Sequence, residues 1–512
     1  MNNTIVLGAG ELTLDTLRTI WTQPVQVRID DAARATIETC RQCVDQVVEG
    51  SGSVYGINTG FGLLAEVAVP RSELVDLQEN LVLSHSAGVG EPIDDRVVRL
   101  VLVLKAMSLA AGYSGVSVEL IESLCALINA EVYPLIPAKG SVGASGDLAP
   151  LAHLSGILLG HGEARHRGQI LAADQALAAA GLKPKHLHPK EGLALLNGTQ
   201  VSTALALAAW FEAEDLFAAG CIAGALSVDA MQGSDTPFDE RIHALRGHSG
   251  QVDTARYLRE LMDGSDIRAS HVNCDRVQDP YSLRCQPQVM GACLDTLRYV
   301  AKTLTAEANA ITDNPLIFAA DQAILSGGNF HAEPVAFAAD FLALAIAEIG
   351  AISERRIALL VDPKMSGMPA FLVEHSGVNS GFMIAHVTAA ALASQNKGLA
   401  HPHSVDSLPT SANQEDHVSM AMAAAYRLLE MTTNSRYIVA IELLAAAQGI
   451  EFHRPHRSSE VLESVVARIR DDVPHLDTDR RLAPDIERIA AVIQSGDLRN
   501  YFPEMIAGSA AT

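Results

Sequence analysis

The stretch of this chain richest in possible chemistry is Gly140-Ser-Val-Gly-Ala-Ser-Gly-Asp-Leu-Ala-Pro-Leu-Ala-His153. A glycine-rich loop ahead of a helix can cradle phosphate, but no Gly-Lys-Ser/Thr follows it. A serine nucleophile elbow needs Gly-x-Ser-x-Gly, and here the glycine after Ser145 comes one residue too early. What Ala144-Ser145-Gly146 does permit is backbone cyclisation. The amide nitrogen of Gly146 can attack the carbonyl carbon of Ala144, Ser145 can lose its hydroxyl, and two waters leave. Each residue type meets one demand. Gly146 offers an unhindered amide with free φ/ψ, Ala144 leaves its carbonyl uncrowded, and Ser145 supplies the departing β-oxygen. The product would be 4-methylidene-imidazol-5-one, an electrophile made without an external cofactor or metal.

Six further segments accompany this loop in order. They are Val54-Tyr-Gly-Ile-Asn-Thr-Gly-Phe-Gly62, Leu83-Ser-His-Ser-Ala-Gly88, Leu195-Leu-Asn-Gly-Thr199, Val277-Gln-Asp-Pro-Tyr-Ser-Leu-Arg-Cys285, Ser326-Gly-Gly-Asn-Phe-His331 and Ser411-Ala-Asn-Gln-Glu-Asp-His417. With them the chain resembles, close to full length, the aromatic amino-acid ammonia-lyases, and among those the histidine ammonia-lyases most. The resemblance implies a mainly α fold with an amino-terminal unit bearing the electrophile, a long central bundle, and a homotetramer with shared active sites. It also implies non-oxidative removal of ammonia from L-histidine to give trans-urocanate, the first step of histidine degradation.

The same resemblance suggests roles for individual residues. Tyr55 matches the base that takes the β-proton. A phenol near pKa 10 needs a positive environment, or hydrogen bonds to its anion, to act so. On the loop alone, Tyr55 reads as an ordinary tyrosine packing on Phe61. Which tyrosine takes the proton, Tyr55 or Tyr281, stays open. Arg284 offers a planar fork for the substrate carboxylate, and Tyr281 shares its face if the segment is helical. Without the motif, a salt bridge is the simpler reading of Arg284. Asn197 and Gln278 are amides for the electrophile's carbonyl or the substrate, or else buried turn amides. Phe330 would pack beside the electrophile. The choice of histidine rests on Glu415, a carboxylate able to pair with imidazole, and on His85, although tyrosine-type relatives also carry a histidine at that place. The competing readings are a tyrosine ammonia-lyase or aminomutase on the same scaffold, and an inactive relative serving as an interaction protein.

These residues need a scaffold, and the composition says which kind. The 512-residue chain is 48% hydrophobic but only 4% aromatic, so its core is built from Ala, Leu, Val and Ile, as in closely packed helices. Residues 1–198 mix short extended pieces, helices and glycine loops. Residues 199–454 carry helical patterns at Thr199 to Gln232, Gln288 to Ile311, Glu333 to Leu360, Ser380 to Gly398 and Asp416 to Gln448. Residues 455–512 read as a peripheral helical segment. No fixed-period repeat and no low-complexity linker separates these parts.

Charge and cysteine content exclude other classes. With 37 Lys+Arg against 60 Asp+Glu, the net charge of -23 repels a phosphate backbone and an anionic membrane surface, so neither nucleic acid nor membrane is expected as a partner. The start has no secretory pattern, and a cytoplasmic location is expected. The apolar runs Val335 to Leu360 and Gln200 to Met231 are interrupted by acidic residues and read as buried bundle helices. Seven scattered cysteines do not suggest a disulfide framework, and Cys40-x-x-Cys43 lies in a helical pattern with no second pair to complete a zinc site. The histidines of His401-Pro-His403 and His453-Arg-Pro-His456 lack a carboxylate at ligand spacing, so no metal site is expected from them.

Overall fold

The computed structural model describes residues 4–50, 52–271 and 277–501. It is predominantly helical, as the composition suggests, and the nine strands among the described residues are all short. β1 (Thr4–Leu7) pairs in parallel with β2 (Gln26–Ile29). β3 (Val89–Pro92) pairs with β5 (Pro137–Lys139). β4 (Val132–Pro134), β6 (Glu163–His166) and β7 (Gln169–Ala172) form an antiparallel trio. β8 (Leu316–Phe318) and β9 (Ala323–Leu325) form a hairpin.

The helices that bear on the site are α1 (Leu74–His85), α2 (Asp95–Ala110), α3 (Leu148–Gly156), α4 (Gln200–Ala230), α5 (Gln286–Ala308), α6 (Glu333–Val361), α7 (Met383–Leu399) and α8 (Ala421–Glu451), of which α4 to α8 fall where the periodicity places them. The start of α2 is capped by Asp94, whose carboxylate accepts from the Arg96 amide at 2.8 Å. The largest departure from the expected bounds is at α8, which begins at Ala421 rather than Asp416. Met420 stands at φ +57° and its amide donates to the Val142 carbonyl at 2.8 Å, so the preceding residues run against the Gly140–Asp147 loop instead of continuing the helix.

The chain groups into two compact units that are discontinuous in sequence, a division different from one at residues 198 and 454. The first comprises Met1–Ala208, Ala301–Asp340 and Pro402–Tyr426, and the second Ala209–Val300, Phe341–His401 and Arg427–Thr512. Pairings remote in sequence define the first unit. The buried ammonium of Lys190 meets Asp313 at 2.7 Å, for example. The second unit contains the fully buried pair Arg356 and Glu442, whose closest N–O approach is 2.5 Å, with Ser227 donating to the same carboxylate at 2.6 Å. By length and composition α6 is apolar enough to cross a bilayer, yet 67% of its most apolar window is buried within the protein. In α4, which is buried along nearly its whole length, the acidic residues are paired. Glu212 accepts from Thr432 at 2.8 Å, and Asp229 from Ser265 at 2.7 Å. Six cysteines are free thiols, and the seventh, Cys274, lies outside the described residues.

Candidate active site

The Gly140–Asp147 loop is bent by glycines where no side chain fits. Gly146 has φ +75°, and a Cβ there would lie 2.2 Å from the Gly198 carbonyl oxygen. Gly143 has φ +66°, and a Cβ there would lie 2.3 Å from Ser419 Oγ. Three sequence-distant segments hold the loop. Gly198 bridges Gly146 and accepts from the Asp147 amide at 2.7 Å. The Gly143 carbonyl accepts from the Ala332 amide at 3.2 Å and from Ser419 Oγ at 2.9 Å. Asp147, fully buried ahead of α3, accepts from Ser141 Oγ at 2.9 Å and from the Ser202 amide and hydroxyl at 2.8 and 2.9 Å. Burial raises its pKa, with those hydrogen bonds opposing.

Ser145 is reached from two sides. Its hydroxyl donates to Glu415 Oε1 at 2.5 Å, and its carbonyl accepts from Asn197 Nδ2 at 2.9 Å. The Asn197 side-chain oxygen is buried without a hydrogen-bond partner among the described residues. Asn197 is itself held by Lys105, a lysine buried in the apolar α2, whose ammonium donates to the Asn197 and Ala194 carbonyls at 2.7 and 2.9 Å. These carbonyls close the short helix Glu191–Leu196, where orphan acceptors need a donor. Burial pushes the Lys105 pKa down to about 7.

Glu415 sits on a turn whose ends are tied by the Thr410 amide donating to the Glu415 carbonyl at 2.9 Å. Ser411, Ala412 and Asn413 in that turn stand at φ +50°, +53° and +68°, a conformation that costs non-glycine residues and recurs at functional sites. Glu415 Oε2 accepts from Thr410 Oγ1 and Ser411 Oγ at 2.8 and 2.9 Å, leaving Oε1 aimed at Ser145. Burial would raise this carboxyl, but the three hydroxyl donors and nearby His85 outweigh it, and its pKa is lowered. His85 ends α1, with Nδ1 2.8 Å from the Leu81 carbonyl, and burial lowers its pKa while Glu415 opposes.

Tyr55 packs edge-on against Phe61, with ring centroids 6.5 Å apart, and the turn that follows, Gly62–Leu64, lies against Ser411–Asn413. Burial raises the Tyr55 pKa, and Glu415 adds to the rise, the reverse of what a base requires. Phe330 is half-buried, two residues before the Ala332 amide that reaches Gly143. The first unit thus gathers Tyr55, His85, Ala144, Ser145, Gly146, Asn197 and Glu415, with Phe330 on an adjoining loop.

The other expected site residues lie in the second unit. Gln278 and Arg284 line a cavity of about 500 Å³ with Arg268 and His271. Tyr281 begins the one-turn helix Tyr281–Arg284, and the Arg284 guanidinium lies 4.7 Å from its ring centroid, the shared face the spacing suggested. Arg284 makes no salt bridge to the described residues, and its buried Nε has no hydrogen-bond partner among them. Tyr281 is 71% exposed, unusual for a large aromatic side chain beside a half-buried cation.

A family model described as aromatic amino acid lyase matches residues 12–471. The chain belongs to this family. Among curated members, the histidine ammonia-lyase of Salmonella typhimurium is 60% identical over 505 residues, covering 98% of this chain and all of that one. Among solved structures, the histidine ammonia-lyase of Trypanosoma cruzi superposes with a TM-score of 0.91 at 40% identity, covering 98% of this chain and 96% of that one. The tyrosine aminomutase of Streptomyces globisporus superposes at 0.92 with 33% identity, covering 98% and 99%. One backbone is thus shared by solved structures that bear the names of different activities.

Sequence reasoning missed Asp147, Ser419 and Lys105. A charged residue next to a glycine loop was a signal for the first, and a single lysine in an otherwise apolar stretch for the last. Nothing local marks Ser419.

Proposed function

We propose that this enzyme is a histidine ammonia-lyase that eliminates ammonia from L-histidine to release trans-urocanate. The observation that carries this reading is the Glu415 carboxylate, held by Thr410 and Ser411 and aimed at Ser145. A carboxylate beside the reacting residue is a group to which an imidazole can donate, and the 60% identical relatives bear the name of this activity.

Ala144, Ser145 and Gly146 fit the methylidene-imidazolone. The left-handed Gly146, with its bare Cα against Gly198, satisfies the ring's demand for an unhindered amide, and Asn197 already donates to the Ser145 carbonyl. Once formed, the group supplies the electrophile that converts the substrate's nitrogen into a leaving group. The remaining work falls to side chains. Glu415 and His85 orient the imidazole, Asn197 fixes the Ser145 carbonyl, Phe330 covers one side of the loop, and Tyr55 takes the β-proton.

Because Tyr55 is raised within a single chain, its activation calls for a cation. We assign that cation, and the carboxylate clamp, to Arg284, with Gln278 and Tyr281, contributed by another copy of the chain in a homotetramer. The unpaired Arg284 Nε and the exposed Tyr281 support the assignment. Phe337, Phe341 and Leu344, spaced along one face of α6 and 46, 44 and 51% exposed, support burial between copies. The net charge of -23 and the free thiols agree with a cytoplasmic setting without nucleic acid or membrane partners.

The test is the growth of urocanate absorbance with L-histidine, beside L-tyrosine and L-phenylalanine. Histidine is expected to be the best substrate, and turnover of tyrosine alone overturns the reading in favour of a tyrosine enzyme on the same backbone. The intact mass is expected to fall short of the sequence mass by two waters. Ser145→Ala should remove the deficit and the activity while the protein stays folded.

A further inference from the structure

The two loops that flank the candidate site meet a second time outside it. His331 follows Phe330, Glu333 opens α6, and His417 lies two residues past Glu415. Their three ligand-capable atoms lie within 4.8 Å of one another, the one such group among the described residues. Glu333 Oε2 is 3.9 Å from His331 Nδ1 and 4.0 Å from His417 Nε2, and the two imidazole rings stack within 10° of parallel.

His331 Nε2 lies 3.1 Å from the His417 carbonyl oxygen, which can only accept, so Nε2 is the donor to that carbonyl and Nδ1 is the ring nitrogen left beside Glu333. Glu333 Oε2 is buried and has no hydrogen-bond partner among the described residues. A buried carboxylate oxygen without a donor, set between two imidazole nitrogens, is an arrangement that a cation satisfies. A ring N–H bonded to a backbone carbonyl is also how metal-ligating histidines are commonly held.

We propose that His331, Glu333 and His417 bind one divalent cation of the zinc class, with a fourth position open to water. Two nitrogens and a carboxylate oxygen match that preference. Tetrahedral ligands bound at about 2.0–2.1 Å lie roughly 3.4 Å apart, so the gaps of 3.9 and 4.0 Å must close by about 0.6 Å. The gap between the two ring nitrogens, within 4.8 Å, must close by up to about 1.4 Å, and one of the near-parallel rings must turn so that the in-plane lone pairs converge. His417, with a side chain 68% exposed, is free to rotate that far. The ion would tie the segment carrying Phe330 to the segment carrying Glu415, setting their spacing without touching substrate. The site lies outside the histidine pairs considered in the sequence, whose spacing suggested no metal.

The test uses the full-length assembled enzyme, stripped with chelator and titrated with Co²⁺. One equivalent per chain should produce visible bands of four-coordinate intensity, displaced by Zn²⁺. Glu333→Gln and His417→Asn, the latter at an exposed position, should each weaken binding at least tenfold. Amide exchange at residues 327–332 and 411–420 should slow on loading. Absence of stoichiometric binding, or binding unchanged in both variants, overturns the site. Stoichiometric binding with unchanged exchange overturns the tie between the loops. Neither readout depends on which amino acid the enzyme consumes, so failure here is distinguishable from failure of the proposed activity.

Discussion

Replacing Glu415 with glutamine tests the proposed specificity most directly, because the change keeps shape and removes charge. A hydrogen bond to a charged group contributes about 1.5–3 kcal/mol and a neutral one about 0.5–1.5 kcal/mol, so the exchange removes roughly 1–1.5 kcal/mol from the contact with the imidazole. At about 1.4 kcal/mol per factor of ten, kcat/KM for L-histidine should fall roughly 5- to 12-fold. Stability should change less. Glutamine still offers an acceptor to the hydroxyls of Thr410 and Ser411, now 2.8 and 2.9 Å from Glu415, and a loss near 1 kcal/mol moves Tm by no more than about 2 °C in a protein of this size. Initial rates of urocanate formation across a range of histidine concentrations, beside a thermal melt, measure both effects. If kcat/KM stays within twofold of the parent while Tm is unchanged, the carboxylate does not contact the imidazole, and the specificity argument fails.

Other perturbations follow from the same geometry. Because the Glu415 pKa is lowered in the folded state while Ser145 keeps its hydroxyl, its stabilising contribution in protein that has not closed the ring is fully present above the unfolded value near 4.5 and is lost as pH falls through the folded value. The urea-unfolding difference between parent and Glu415→Gln should therefore be largest at neutral pH and vanish in acid. Gly146→Ala places a Cβ 2.2 Å from the Gly198 oxygen and should yield folded protein lacking the two-water mass deficit, read by mass spectrometry and circular dichroism. Glu442→Ala strands the fully buried Arg356 guanidinium and should cost about 3–5 kcal/mol in denaturant unfolding, far more than any surface carboxylate.

Much of the fold is legible locally. The period of the apolar residues places α4 through α8, and the glycines of the Gly140–Asp147 loop announce a bend that no other residue could make. The boundary at α8 escapes because it is set by Val142, whose carbonyl takes the Met420 amide, a partner that propensity cannot see. The electrostatics escape for the same reason. Tyr55 reads as a base from its motif, yet its pKa depends on burial and on Glu415, 360 positions away. The metal group joins two loops whose histidines are 86 positions apart, a spacing that matches no ligand pattern. Gly-rich turns encode where the chain bends. They do not encode which distant carboxylate it meets.

The supports of the Gly140–Asp147 loop also fix an order of events during synthesis. Gly143 and Val142 are held by Ala332, Ser419 and Met420, so a nascent chain that has displayed Ala144, Ser145 and Gly146 must still extend by more than 270 residues before those supports exist. Under the proposed function, ring closure is thereby tied to synthesis beyond residue 420. On that reading a truncated polypeptide ending before residue 419 carries the tripeptide and lacks the contacts that would bend it into reaction.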